Sequence, residues 1–196
     1  TINVLMDFVF PPFQSFCVSS SQTIFAQSTK PTCVNAIRIS AAACTSALGI
    51  SLTDIQRGLS QFSGVKGRMT FLPGKQNAVI IDDTYNANLR SVLTALDVLA
   101  KRDGCRIFVF GDMGELGPWS EQHHREVGLA ARDLGIDKLM TCGIQSEAAS
   151  QAFGVGATHY TSQDDLVSDL KLDATTTVLV KGSRSSAMEN IVHCLV

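Results

Sequence analysis

The spacing of apolar positions changes character twice along this chain. From residue 76 onward, near-continuous apolar runs at "NAVIID" (77–82), "CRIFVFG" (105–111), "DKLMTCG" (137–143), "ATHYT" (157–161) and "TTVLVKG" (176–182) alternate with amphipathic stretches near 88–102, 119–134, 146–153, 163–170 and 185–196. Strands that are apolar on both faces and separated by helices predict a parallel sheet covered on both sides, the Rossmann-like doubly wound α/β class. Upstream the pattern differs. Residues 34–49, "VNAIRISAAACTSALG", are Ala-rich with helical spacing and end in Gly49, a residue suited to terminating a helix. In "SLTDIQRGLSQF" (51–62), Ser51 and Asp54 make a capping-box-like start before Ile55 and Leu59. Before this helical pair, the first 30 residues alternate only weakly and suggest short strands or an edge region. "SGVKGR" (63–68) reads as a linker or hinge, which predicts one domain or domain end over 1–63 and a complete domain over 64–196.

In a doubly wound sheet, ligands bind beyond the carboxyl ends of the strands, and the polar signatures fall there. "DDTYNAN" (82–88) ends the first run, "GDMGELG" (111–117) ends the second, and "KGSRSSAME" (181–189) follows the last. Alternation points one of Asp82 and Asp83 inward and the other toward the crevice. A carboxylate there suits ribose hydroxyls or a metal; equally, Asp83 or Asn88 could cap the next helix. The three glycines of "GDMGELG" permit close backbone approach to a ligand, or they make an ordinary turn with Glu115 solvated. Lys181 and Arg184 bracket Gly182 and Ser183 before a helix, as an anion site would require, or as a solvated basic turn.

Composition removes several classes of function. The 196 residues are 45% hydrophobic and carry a formal net charge of −2, from 16 basic and 18 acidic side chains with no Lys/Arg run. Nucleic acid and anionic lipid are therefore disfavoured as partners. Six cysteines lie singly within mostly apolar surroundings, which favours a reducing cytoplasm over a disulfide framework. The apolar start lacks a basic segment and is broken by Pro11 and Pro12, so it suits neither a signal peptide nor a membrane span. The chain begins with Thr1, which leads us to expect a piece of a longer protein. His123 and His124 are adjacent and lack zinc-ligand spacing. No nucleophile elbow occurs. No phosphate-binding G-x-x-x-x-G-K-[ST] loop occurs either, since "LPGKQN" (72–77) lacks both its first Gly and its Ser/Thr.

In order and spacing, "DDTYNAN", "GDMGELG", the Glu121/His124/Val127–Gly128 pattern of "SEQHHREVG" and "LVKGSRSSAMEN" resemble the Mur ligase family over roughly residues 64–196. "VNAIRISAAACTSALGISLTDIQRGL" resembles the helical end of that family's central ATPase domain. The resemblance implies a cytoplasmic ligase that uses ATP and Mg2+ to make an acyl phosphate on UDP-N-acetylmuramoyl tripeptide, which the amine of D-Ala-D-Ala then attacks. By that likeness Asn35 contacts adenine, Arg68 the ribose or phosphates, and Asp83 the ribose hydroxyls. Tyr85, Asn86 and Asn88 line the nucleotide-facing edge, and Lys181, Ser183 and Arg184 hold the incoming dipeptide. The phosphate loop, the magnesium ligands and the UDP-sugar domain belong to an upstream part of the same ligase, so residues 1–196 alone are expected not to turn over. Three departures stand out: "TKPT" (29–32) where the family has Gly-Arg-His-Asn, Lys66 in place of the usual Pro before Gly-Arg, and Leu89 in place of a frequent Pro. A folylpolyglutamate-type ligase and a non-catalytic nucleotide- or peptide-binding module are the competing readings.

Overall fold

The computed structural model describes residues 33–61 and 65–196, with only the backbone described for 33–39. The chain divides into two compact units, Thr1–Ser63 and Gly64–Val196. In the first, helix α1 (Cys33–Ala47) and helix α2 (Leu52–Gln61) are joined by a short turn. Gly49 makes that turn at φ +79, and the amide of Ile50 closes it by donating to the Thr45 carbonyl at 3.1 Å. Ser51 caps α2: its Oγ accepts from the Asp54 amide at 3.2 Å and donates to Asp54 Oδ2 at 2.6 Å. The backbone of Asn35 lies in α1, whereas its side chain, the first 30 residues and "TKPT" lie outside the described residues.

The second unit is a six-stranded sheet formed by β1 (Thr70–Pro73), β2 (Val79–Asp83), β3 (Cys105–Gly111), β4 (Lys138–Cys142), β5 (Ala157–Tyr160) and β6 (Thr176–Lys181). Their spatial order is β1-β2-β6-β3-β4-β5, with β1 antiparallel and the others parallel. Between them run α3 (Leu89–Leu99), α4 (Ser120–Asp133), α5 (Glu147–Phe153) and α6 (Gln163–Asp169), and α7 (Glu189–Leu195) closes the chain. Strand alternation sorts the core into two layers. Ile81, Phe108, Phe110, Leu139 and Leu179 face α3, α4 and α5. Ile80, Ile107, Val109, Met140, Val178 and Val180 face α6 and α7. The four inner strands β2, β6, β3 and β4 bury side chains on both faces, which is why their sequences read as near-continuous apolar runs.

Four details differ from the sequence pattern. Strand β1 was not expected, because it is four residues long and contains Pro73, which an edge strand tolerates and a central one does not. The stretch expected as a linker ends in a tight turn: the Arg68 amide donates to the Val65 carbonyl at 3.0 Å, and Gly67 at φ +74 supplies the left-handed third position of a type II turn. The helix expected to run over 88–102 stops at Leu99. The helix expected over 185–196 begins only at Glu189, after a single 3-10 turn at Arg184–Ser186 and a left-handed Ala187 at φ +47. No helix among the described residues is long and apolar enough to cross a membrane.

Candidate active-site edge

Strand pairing brings the three polar loops to one edge. In parallel register Asp83 lies beside Lys181, and Lys181 beside Phe110, one residue before Gly111. Asp112 then ties the loops together. Its carbonyl accepts from the Ser183 amide at 2.8 Å and from Ser186 Oγ at 3.0 Å. Its carboxylate Oδ1 accepts from the Gln145 and Ser146 amides at 3.0 and 2.7 Å. Thus the loops after β3, β4 and β6 share one residue. Three residues in or beside the edge loops, Met69, Glu115 and Ala187, hold positive φ without being glycine, a conformation that persists only where neighbours enforce it.

The two aspartates at the end of β2 divide as strand alternation requires. Asp82 is buried and turns back on its own chain, accepting from the Thr84 amide at 3.2 Å and Thr84 Oγ1 at 2.7 Å. Asp83 faces the edge. Its Oδ1 accepts from the Met69 amide at 3.0 Å, and its Oδ2 accepts from Lys181 Nζ at 2.6 Å. Burial pushes the Asp83 carboxyl above its ordinary value, and the adjacent Lys181 ammonium opposes that shift without cancelling it. Lys181 is 2% exposed and also donates to the Asn86 carbonyl at 2.8 Å.

Lys181 and Arg184, read from the sequence either as the cations of one anion site or as a solvated basic turn, are both paired with carboxylates in the structure. Lys181 is buried and neutralised by Asp83, because an unpaired ammonium in that position would lose its hydration uncompensated. Arg184 reaches solvent with 68% of its side chain but pairs with Glu189 Oε1 at 2.7 Å. Ser183 is buried at the same edge, its Oγ within 2.9 Å of Ser185 Oγ and 3.1 Å of Ser186 Oγ. Asn88 serves as a helix cap: its Oδ1 accepts from the Ser91 amide at 2.9 Å, and its own amide donates to Ser91 Oγ at 3.1 Å. Asn86 is exposed at the edge, with Oδ1 accepting from the Ala87 amide at 2.8 Å.

Tyr85 and Arg68 are also open to a ligand. Tyr85 is half exposed, and the guanidinium of Arg68 lies 4.1 Å from its ring centroid, a cation–π arrangement. Arg68 makes no ion pair with any described residue. Beside them, Lys66, Gly67, Thr84, Tyr85, Arg184, Glu189 and His193 line a shallow cleft of ≈ 370 Å³.

Asp112 and His124 were not singled out as site residues. His124 is fully buried; its Nε2 accepts from the Met113 amide at 2.9 Å, and its Nδ1 donates to the Ser120 carbonyl at 2.7 Å. Desolvation lowers its pKa, so the neutral ring pins the "GDMGELG" loop to α4. The sequence signal for Asp112 was a carboxylate immediately after an apolar strand. For His124 it was a His in register with the buried Val127, Gly128 and Ala131 of its helix.

These elements define a doubly wound α/β domain whose sheet carries an exposed Arg–Tyr pair and a shallow cleft at its carboxyl edge. Residues 67–184 match the family described as Mur ligase, glutamate ligase domain, and the chain belongs to the Mur ligase family. It is 43% identical over 161 residues to the UDP-N-acetylmuramoyl-tripeptide--D-alanyl-D-alanine ligase of Escherichia coli (strain K12), covering 80% of this chain and 35% of that protein. Among solved structures, MurF from Acinetobacter baumannii superposes with a TM-score of 0.70 at 34% identity, over 80% of this chain and 35% of that one. The MurF ligase from Thermotoga maritima, solved in complex with ADP, gives 0.69 at 25% identity, over 80% and 36% of the respective chains. The chain thus spans about a third of the length of these relatives.

Proposed function

We propose that this chain is the C-terminal portion of an ATP-dependent amide ligase that adds D-Ala-D-Ala to UDP-N-acetylmuramoyl tripeptide in cytoplasmic peptidoglycan precursor synthesis. Residues 1–63 would be the end of the central ATPase domain, and residues 64–196 the C-terminal domain. The observation that carries the proposal is the convergence of the loops after β2, β3 and β6 on one edge, in a chain 43% identical to a ligase of that name. A second support is that a relative of the same fold was solved with ADP.

The chemistry of the edge fits a nucleotide. Arg68 offers a planar, fully charged fork free of any carboxylate partner among the described residues, a donor set suited to phosphate oxygens. The Tyr85 ring, 4.1 Å from the guanidinium carbon, adds a cation–π contact that favours this placement of Arg68. Asp83 keeps acceptor capacity for a ribose hydroxyl beyond the two bonds it already accepts. Asn86 presents a carboxamide NH2 at the same edge, whereas Asn88 contributes by fixing the start of α3. On the acceptor side, Arg184 is the exposed cation for the dipeptide carboxylate, and it would exchange Glu189 for that ligand. Ser183 and Lys181 hold the loop that presents it. Asn35 belongs to the adenine side by family likeness.

Bound ATP supplies the phosphoryl group that makes the tripeptide carboxylate displaceable by an amine. For Mg2+, no group of three or more His, Cys, Asp or Glu suited to a metal occurs among the described residues, and the proposal assigns its ligands to the upstream part of the ligase. The test is phosphate release by the complete ligase carrying this chain, given ATP, UDP-N-acetylmuramoyl tripeptide and a panel of acceptors. Release that depends on D-Ala-D-Ala supports the proposal. Release with glutamate instead, or no acceptor-dependent release, rejects it.

A further inference from the structure

The turn at 65–68 is joined to the sheet edge by three contacts that converge on the end of β2. The Met69 amide donates to Asp83 Oδ1 at 3.0 Å, the Tyr85 amide donates to the Gly67 carbonyl at 2.9 Å, and Arg68 lies over the Tyr85 ring. Met69 itself sits at φ +52, a region that a side chain with a Cβ occupies only when held there. Behind this arrangement Lys181, reaching from β6, donates to Asp83 Oδ2 and to the Asn86 carbonyl. One buried ammonium therefore bridges both ends of the segment that carries Tyr85.

We propose that Lys181 and Asp83 are positioning residues whose buried ion pair clamps the 65–69 turn to the sheet edge and so fixes Arg68 over Tyr85. This role goes beyond the contacts assigned above, and its bearing on catalysis rests on the proposed use of that edge for ATP. The physical logic is one of preorganisation. Asp83 Oδ2 is anchored on Lys181, which aims Oδ1 at the Met69 amide; that bond holds the left-handed residue, and the residue fixes the direction of the Arg68 side chain. Without Lys181, Asp83 would be a largely desolvated carboxylate without its cation that rotates toward water, and the turn would sample other conformations. A ligand that needs the seated turn then binds more weakly, in proportion to the fraction still seated.

Amide hydrogen exchange on this chain tests the clamp without any nucleotide. In the unmodified chain the Met69 and Tyr85 amides should be protected. In Lys181→Met and Asp83→Asn that protection should fall on the order of ten- to a hundredfold, while the amides of Phe108 and Leu179 in the central strands keep theirs. Unprotected Met69 and Tyr85 amides in the unmodified chain overturn the proposal. So does an unchanged pair in both variants, or a loss spread evenly over β3 and β6. In the complete ligase, Lys181→Met should raise the KM for ATP more than it lowers kcat, and combining it with Arg68→Ala should cost no more than Arg68→Ala alone. Additive effects overturn the claim that Lys181 acts through Arg68. A ligase inactive with D-Ala-D-Ala counts against the proposed function, whereas the exchange result judges the clamp separately.

Discussion

Replacing Asp112 by Ala removes the acceptor for two amides at the start of α5 while leaving the backbone carbonyl that receives Ser183. Ser146 is fully buried, so its amide, 2.7 Å from Oδ1, would be left without a partner and without water. The Gln145 residue is exposed, and its amide can be hydrated instead. Hydrogen bonds to a charged acceptor contribute about 1.5–3 kcal/mol, and orphaning a buried donor costs about 1–3 kcal/mol. We therefore expect Asp112→Ala to destabilise this chain by about 2–3 kcal/mol, and Asp112→Asn, which keeps an oxygen in place without the charge, by about 1 kcal/mol. Urea unfolding followed by circular dichroism, extrapolated linearly to water, measures both. The corresponding fall in Tm for a domain of this size is roughly 6–12 °C. A change below about 0.5 kcal/mol for Asp112→Ala, within the range of ordinary surface substitutions, would refute Asp112 as the residue that ties the edge loops.

Two further predictions follow from buried contacts on α4. Because desolvation lowers the pKa of His124, its contribution to stability is fully present above its ordinary value of 6.5 and is lost as pH falls through the depressed folded value. Unfolding measured between pH 7.5 and 5 should show that loss in the unmodified chain and a flatter profile in His124→Gln; superimposable profiles would contradict the assigned neutral ring. The raised pKa of Asp83 acts with the opposite sign, its contribution fading as pH rises, and it is common to both proteins. Gly128→Ala places a Cβ 2.1 Å from the Ala149 carbonyl oxygen, forcing α4 away from α5 at a cost of about 1–3 kcal/mol or more. Unchanged urea stability in that variant would show that the two helices can separate freely.

The sheet was legible because a doubly covered strand leaves a near-continuous apolar run, as at 105–111 and 176–182, and because parallel connections demand helices between such runs. Placement of the polar loops at one edge followed from that topology. What each polar side chain does there was less legible. A lysine in "LVKGSR" reads the same whether it meets solvent or a buried carboxylate, and only the parallel register that sets Lys181 beside Asp83 decides between them. Asn88 carried two readings, and the Ser91 amide resolved its observed role as a cap. Strand β1 escaped notice because four residues with a proline leave no periodicity to detect. For Asp112 the carboxylate just after an apolar strand marks only a position at the sheet edge, and nothing local shows that it binds backbone amides more than 30 residues along the chain.

Under the proposed function, this edge forms one half of a ligase active site, with Arg68 on the nucleotide and Arg184 on the acceptor. The most direct measurement is the pair of KM values, for ATP and for D-Ala-D-Ala, in the complete ligase carrying Arg68→Ala or Arg184→Ala. Arg68→Ala is expected to raise KM for ATP by on the order of tenfold or more, the loss of a charge-assisted contact, and Arg184→Ala to raise KM for the dipeptide while leaving that for ATP within about twofold. Unchanged values for both substrates in both variants would contradict it.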